Sequence, residues 1–217
     1  MNPVLQVALD TPNLYEALHL GVKLATNLGC NGLWIEAGTP LLKAWGRISV
    51  KLLKDLTNCV VVADSKTMDT GSLEAEIFFK AGADAITVLG VADDSTVLEA
   101  LDTAKKYRKL VIVDLINCRD PVSRAIELDG LGVDVILYHV GIDVQRKRGL
   151  TASDLFEELE RLRKAVSAKV AVAGGIKHGE AKKFVEIGVD IIIVGSAITK
   201  ATNPVEAADR FLEEIRS

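Results

Sequence analysis

Short, nearly unbroken apolar runs recur along the chain, each followed by a longer stretch with helical spacing of apolar and charged residues. The runs are Leu5–Leu9, Leu33–Glu36, Val60–Asp64, Ala85–Val88, Leu110–Asp114, Val135–His139, Lys169–Ala173 and Ile191–Val194. They are rich in Val and Ile, and apolar at successive positions rather than at every second one. Strands covered on both faces read this way, which predicts a parallel sheet with helices outside it. Between the runs, Leu155, Leu159, Leu162 and Val166 trace one stripe, opposed by Glu157, Glu158, Glu160, Arg161 and Lys164. Ser153-Asp154 ahead of that stripe reads as its cap. Phe211, Leu212 and Ile215 repeat the pattern near the end of the chain.

An internal repeat supports the same architecture. Gly29-Cys30-Asn31, Gly82-Ala83-Asp84, Gly132-Val133-Asp134 and Gly188-Val189-Asp190 each close a helical stretch just before a strand. No segment reads as a linker or as low-complexity sequence. Eight strand-helix pairs within residues 1–217 therefore predict one domain, a parallel eight-stranded (β/α)8 TIM barrel. An open doubly wound sheet is the alternative, and the lack of a GxGxxG after the first strand counts against it.

Composition narrows the function. The net charge is −4 and aromatics are 5% of the chain, neither of which suits a nucleic-acid binder. No apolar run has the length of a membrane span, and Met1-Asn2-Pro3 does not open a signal peptide. The three cysteines, Cys30, Cys59 and Cys118, form no CxxC and read as free thiols of a reducing, cytoplasmic setting.

The chemistry gathers at the C-terminal ends of the strands, where a barrel of this kind places its active site. Asp10, Glu36, Asp64 with Lys66, Asp114 and His139 end strands one, two, three, five and six. Any one acid there could be a helix cap, but six ionisable groups at one rim are costly to bury without pairing or a solvated cleft. Strand alternation puts Asp64 and Lys66 on one side, with Asp69 three residues further into the loop. A lysine between two carboxylates stays protonated, and so acts as a cation or proton donor rather than as a Schiff-base amine. Glu36 and Asp64 are hard oxygen ligands from adjacent strands, a set that suits magnesium, although a salt-bridged cluster is the simpler alternative. His139 alone among the three histidines ends a strand and reads as an acid-base group; His19 falls in the first helix and His178 near the seventh. Gly174-Gly175 and Gly195-Ser196 follow strands seven and eight, the usual place for phosphate in such barrels. Gly141–Gly149 carries Arg146, Lys147 and Arg148 and reads as a mobile basic lid.

Asp64-Ser65-Lys66-Thr67-Met68-Asp69 is the DxKxxD pattern, and with it the chain resembles the orotidine 5′-phosphate decarboxylase superfamily of barrels. Val7-Ala8-Leu9-Asp10, Ile35-Glu36-Ala37-Gly38-Thr39-Pro40, Tyr138-His139-Val140-Gly141-Ile142-Asp143 and Val172-Ala173-Gly174-Gly175-Ile176 extend the resemblance over the whole length. Within the superfamily these blocks are most similar to the branch of 3-hexulose-6-phosphate synthases. That resemblance implies an aldol reaction between ribulose 5-phosphate and formaldehyde through a magnesium-stabilised enediolate, or its reverse. Carried over by position, it implies magnesium on Glu36 and Asp64, enediolate stabilisation by Lys66 and proton transfer by His139. Asp10, Asp114 and Asp69 would orient ligand and lysine, and Gly175, Gly195 and Ser196 would hold phosphate. It also implies a homodimer in which Asp69 enters the neighbouring subunit's site.

Two related activities compete. The 3-keto-L-gulonate-6-phosphate decarboxylases of the same superfamily carry Glu, Arg and Arg where this chain has Asp114, Ile142 and Ser196, and those differences favour the synthase. Orotidine 5′-phosphate decarboxylase shares the lysine motif but lacks the counterparts of Glu36 and the His139 block. A non-catalytic sugar-phosphate binder would have no need of the acid-lysine-acid-histidine set.

Overall fold

The computed structural model describes residues 3–217. Eight parallel strands close into a barrel in sequence order, with the last pairing to the first. They are β1 (Val4–Leu9), β2 (Leu33–Ala37), β3 (Val60–Thr67), β4 (Ala85–Leu89), β5 (Leu110–Asp114), β6 (Val135–His139), β7 (Lys169–Ala173) and β8 (Ile191–Val194). The apolar runs thus give the strands, and β5 to β8 keep the bounds read from the sequence. Around them lie α1 (Leu14–Leu28), α2 (Thr39–Trp45), α3 (Arg47–Thr57), α4 (Gly71–Lys80), α5 (Asp94–Tyr107) and α6 (Pro121–Gly130). The ring continues with α7 (Ile142–Arg148), α8 (Phe156–Ala165), α9 (Ala181–Glu186), α10 (Ser196–Thr199) and α11 (Pro204–Arg216). No helix among the described residues is long and apolar enough to cross a membrane.

Strand alternation splits the core in two. Leu5, Val7 and Leu9 of β1 face outward into the layer shared with the helices, as do Val61, Ala63, Val111 and Val113. Val4 and Ala8 face the barrel interior with Val62, Ile112, Val135, Leu137 and Ile191. Both layers are closed to solvent, which explains why the strands carry no apolar-polar alternation. The interior column of side chains leads up to the C-terminal rim, and there it turns polar.

The glycine repeat has a structural meaning at the opposite end. Gly29, Gly82, Gly132 and Gly188 all take positive φ and end helices. In three of the four units the aspartate that follows pins the start of the preceding strand. Asp84 accepts from Val61 N, Asp134 from Val111 N and Asp190 from Val170 N, each at 2.9 Å. Asp84 also takes Lys54 and Lys109, both at 2.7 Å.

Three features depart from the sequence reading. Cys30 and Cys59 are joined by a disulfide across 5.1 Å between Cα atoms, leaving Cys118 as the free thiol, whereas the sequence alone reads all three as free. Pairing of β2 with β3, Trp34 opposite Val60, draws together the turns that precede the two strands. The cap ahead of α8 falls on Thr151, whose hydroxyl and amide both bond Asp154, and a single 3-10 turn at Ala152–Leu155 intervenes before the helix. The segment 141–149 is mostly the short helix α7, with no buried residue.

Candidate active site

The rim opens into a cavity of about 450 Å³. Asp10, Glu36, Asp64, Lys66 and His139 line it from the ends of β1, β2, β3 and β6. An open groove on α1, lined by Tyr15, Leu18 and Leu56, is apolar and gathers no carboxylates.

Lys66 stands at the centre. Its Nζ donates to Asp64 Oδ1 at 3.0 Å and to Asp114 Oδ2 at 2.9 Å. The two flanking carboxylates are therefore Asp64 and Asp114 of the same chain, not Asp64 and Asp69. Burial alone would pull the lysine's pKa down, but Asp114 and Asp64 outweigh it and hold the ammonium above its ordinary range. Simple alternation does not account for how Asp64 and Lys66 meet. Ala63 pairs with Ile86 and Thr67 with Val88, so β3 carries extra residues against β4, and Lys66 sits there at φ 47°. Thr87 of β4 secures this bend: its hydroxyl accepts from Lys66 N at 2.8 Å and donates to Asp64 Oδ1 at 2.9 Å. Thr39 donates to the other oxygen of Asp64 through its hydroxyl and its amide, at 2.5 and 3.3 Å. Asp64 thus receives four protein donors.

Asp114 is fully buried and reaches the cavity only through its partners. Besides Lys66 it accepts from His139 Nδ1 at 2.9 Å and from Ile116 N at 2.9 Å. Burial pushes its carboxyl up, but His139 and Lys66 reverse that and bring it down to about 2. An ionised carboxylate can only accept, so the Nδ1 of His139 carries the proton. Nε2 is left as the basic nitrogen of a ring that lines the cavity.

Glu36 and Asp10 add two more acids beside Asp64, and neither forms a salt bridge among the described residues. Glu36 is buried and accepts from Gln6 Nε2 at 2.5 Å. Burial, then the charges of Asp64 and Asp10, hold its carboxyl well above the usual range. Asp10 keeps contact with solvent, yet the crowding of the rim still desolvates it enough, with Asp64 beside it, to raise its carboxyl. A Cβ at Gly38 would press on the Asp10 carboxylate, which would have to turn aside.

Gly175, Gly195, Ser196, Arg146 and Lys200 also line the cavity. Gly174 and Gly175 take φ of 120° and 71°, and a Cβ on Gly174 would lie 2.6 Å from Val140 O. Asp69 is apart from all of these. It is exposed, does not line the cavity, and bonds Thr70 N at 2.7 Å. Sequence reading missed Gln6, Thr39, Thr87 and Lys200. Gln6 and Thr87 lie inside apolar strands, and their one signal is parity: Gln6 shares the interior side of β1 with Ala8 and Asp10.

Known proteins share this barrel and much of this sequence. Residues 3–211 match the profile of the Orotidine 5′-phosphate decarboxylase / HUMPS family. The 3-hexulose-6-phosphate synthase of Bacillus subtilis (strain 168) is 39% identical over 97% of this chain and 98% of its own. A crystal structure of 3-hexulose-6-phosphate synthase superposes with a TM-score of 0.89 at 38% identity, over 97% of this chain and 99% of the other. The crystal structure of 3-keto-L-gulonate-6-phosphate decarboxylase from Vibrio cholerae gives 0.83 at 28% identity, over 99% and 98%. With the barrel, the strand-three lysine and its acids, and full-length similarity in agreement, the chain belongs to the orotidine 5′-phosphate decarboxylase / HUMPS family.

Proposed function

We propose that the chain is a lyase of the aldolase type. It interconverts D-ribulose 5-phosphate plus formaldehyde and D-arabino-3-hexulose 6-phosphate. The observation that carries this reading is the chain of Asp64, Lys66, Asp114 and His139 at one cavity that Asp10 and Glu36 also line. Nε2 of His139 removes the C1 proton of ribulose 5-phosphate. Lys66 holds its ammonium toward the oxygen on which charge develops, a charge that fixed donors stabilise without reorganisation. The electron pair left at C1 forms the new carbon–carbon bond to formaldehyde, and the proton on His139 passes to the new hydroxyl. Asp114 fixes the tautomer of His139 and the position of Lys66. Gly175, Gly195 and Ser196, with Arg146 and Lys200 of the same cavity, bind the phosphate. Three positions favour this reaction over the decarboxylase reading: Asp114, Ile142 and Ser196 stand where the decarboxylases that the chain resembles have Glu, Arg and Arg.

The donor set fits a magnesium ion. Glu36 and Asp64 are hard oxygen donors from adjacent strands, and magnesium takes one or two carboxylates together with waters and substrate oxygens; no cluster of three or more metal-binding side chains forms among the described residues. Glu36 offers a free oxygen at once, and Asp64 does so by releasing one of its four donors. Glu36 and Asp64 would hold the ion, which would supply positive charge to stabilise the enediolate. The reading includes a homodimer, in which Asp69 serves the partner's site. Incubation of ribulose 5-phosphate and formaldehyde should yield hexulose phosphate in the presence of magnesium and lose most of that rate after exhaustive chelation. Carbon dioxide release from 3-keto-L-gulonate 6-phosphate without any aldol turnover would replace this reading with the decarboxylase.

A further inference from the structure

We propose that Gln6 is the positioning residue that aims Glu36 at the divalent cation. This rests on the magnesium-dependent reading above. Gln6 lies on β1, where interior side chains are otherwise small or apolar: Val4 below it and Ala8 above it. It is 1% exposed. Burying a carboxamide among such neighbours costs several kcal/mol unless its polar atoms are paired. Only half of the amide is paired. Nε2 donates to Glu36 Oε2 at 2.5 Å, and Oε1 has no partner among the described residues.

The contrast with Asp64 gives the amide its role. Asp64 is held by Thr39, Thr87 and Lys66 from three elements. Among the described residues Glu36 has one protein donor, Gln6. Without it the carboxylate would be free to turn about its own side chain, and the repulsion from Asp64 and Asp10 would drive it away from them. With it, one oxygen is tied and the other is left for a ligand. That is the arrangement of a monodentate carboxylate held by an outer partner. The unpartnered Oε1 has a matching use. Magnesium keeps several waters when protein supplies only one or two carboxylates, and a water held by the ion can donate to a carbonyl oxygen.

The test measures cation binding directly, in the full-length protein without substrate. Gln6→Met keeps the length of the side chain and removes the donor; Gln6→Leu is the second variant, should methionine perturb folding. Free manganese is followed by electron paramagnetic resonance, and magnesium by competition. Both variants should melt with the parent and bind the cation about 10- to 100-fold more weakly. The magnesium concentration for half-maximal rate should rise in parallel, and the lost rate should return as magnesium is raised. Parental cation affinity in either folded variant would make Gln6 mere interior filling. A parent that binds no manganese, or a Glu36→Gln variant that binds it like the parent, would overturn the metal reading itself, and this inference with it.

Discussion

At the scale of single residues, the proposed chemistry depends on Asp114, which does not itself line the cavity. It is ionised, buried and shared between the lysine and the histidine. Replacing it with asparagine keeps the shape and reverses the logic. A carboxamide that donates to Nδ1 leaves the proton on Nε2, so His139 could no longer take one from substrate. Lys66 would lose the stronger of its two charges. Asp114→Asn should therefore lower kcat by about 10³- to 10⁴-fold, as the wrong tautomer does in hydrolase triads. Nitrogen NMR of His139 should show the proton moved from Nδ1 to Nε2. A kcat within tenfold of the parent, with Nδ1 still protonated, would remove Asp114 from its role.

At the scale of elements, the aspartates of the repeat belong to stability and not to catalysis. They lie at the N-terminal end of the barrel, away from the rim chemistry, and each pins one strand to the turn before the next. Asp84 does more than Asp134, because it also binds Lys54 and Lys109, and despite its partial burial these donors keep its carboxyl below the ordinary range. Hydrogen bonds to charged groups contribute roughly 1.5–3 kcal/mol each. Asp134→Asn should thus cost about 1–2 kcal/mol in denaturant unfolding, and Asp84→Asn clearly more. Aldol activity at 25 °C should be unchanged in both. Equal losses for the two variants would mean that the lysines contribute nothing.

The same scale shows what was legible in the sequence. The strands were, because two buried faces leave nothing but apolar residues in the body of β5 to β8. The rim acids were, because charge at the end of such a run is conspicuous. The bend at Lys66 was not: the pairing of β3 with β4 slips between Ala63 and Thr67, and nothing in the sequence of β3 alone marks that slip. Gln6 and Thr87 were hidden by their apolar neighbours, although each supports an acid of the site. The Cys30–Cys59 bridge depends on which strands pair, a property of the closed barrel and not of the spacing between the cysteines.

At the scale of the whole molecule, one residue of the DxKxxD pattern has no place in its own site. Asp69 follows Lys66 by three residues, which span roughly 10 Å at most. Met68 is already exposed, and among the described residues Asp69 bonds only the amide of Thr70. Its surroundings are apolar and open: Met68, with Leu73 and Ile77 one turn apart on α4, is substantially exposed. Leu98 lies exposed on α5, which packs against α4. A second copy related by a two-fold axis would cover these side chains and bring each Asp69 toward the other's Lys66. Mixing two inactive chains separates this arrangement from a local cap. In a dimer of Asp69→Asn with Lys66→Ala, one site combines an intact lysine with an intact aspartate, and the other has neither. Random exchange makes about half of the dimers mixed, each with one working site, so activity should return to about a quarter of the parent's. If Asp69 acts only within its own chain, both sites of the mixed dimer stay defective. The mixture would then be as inactive as its components after subunit exchange has been verified by mass.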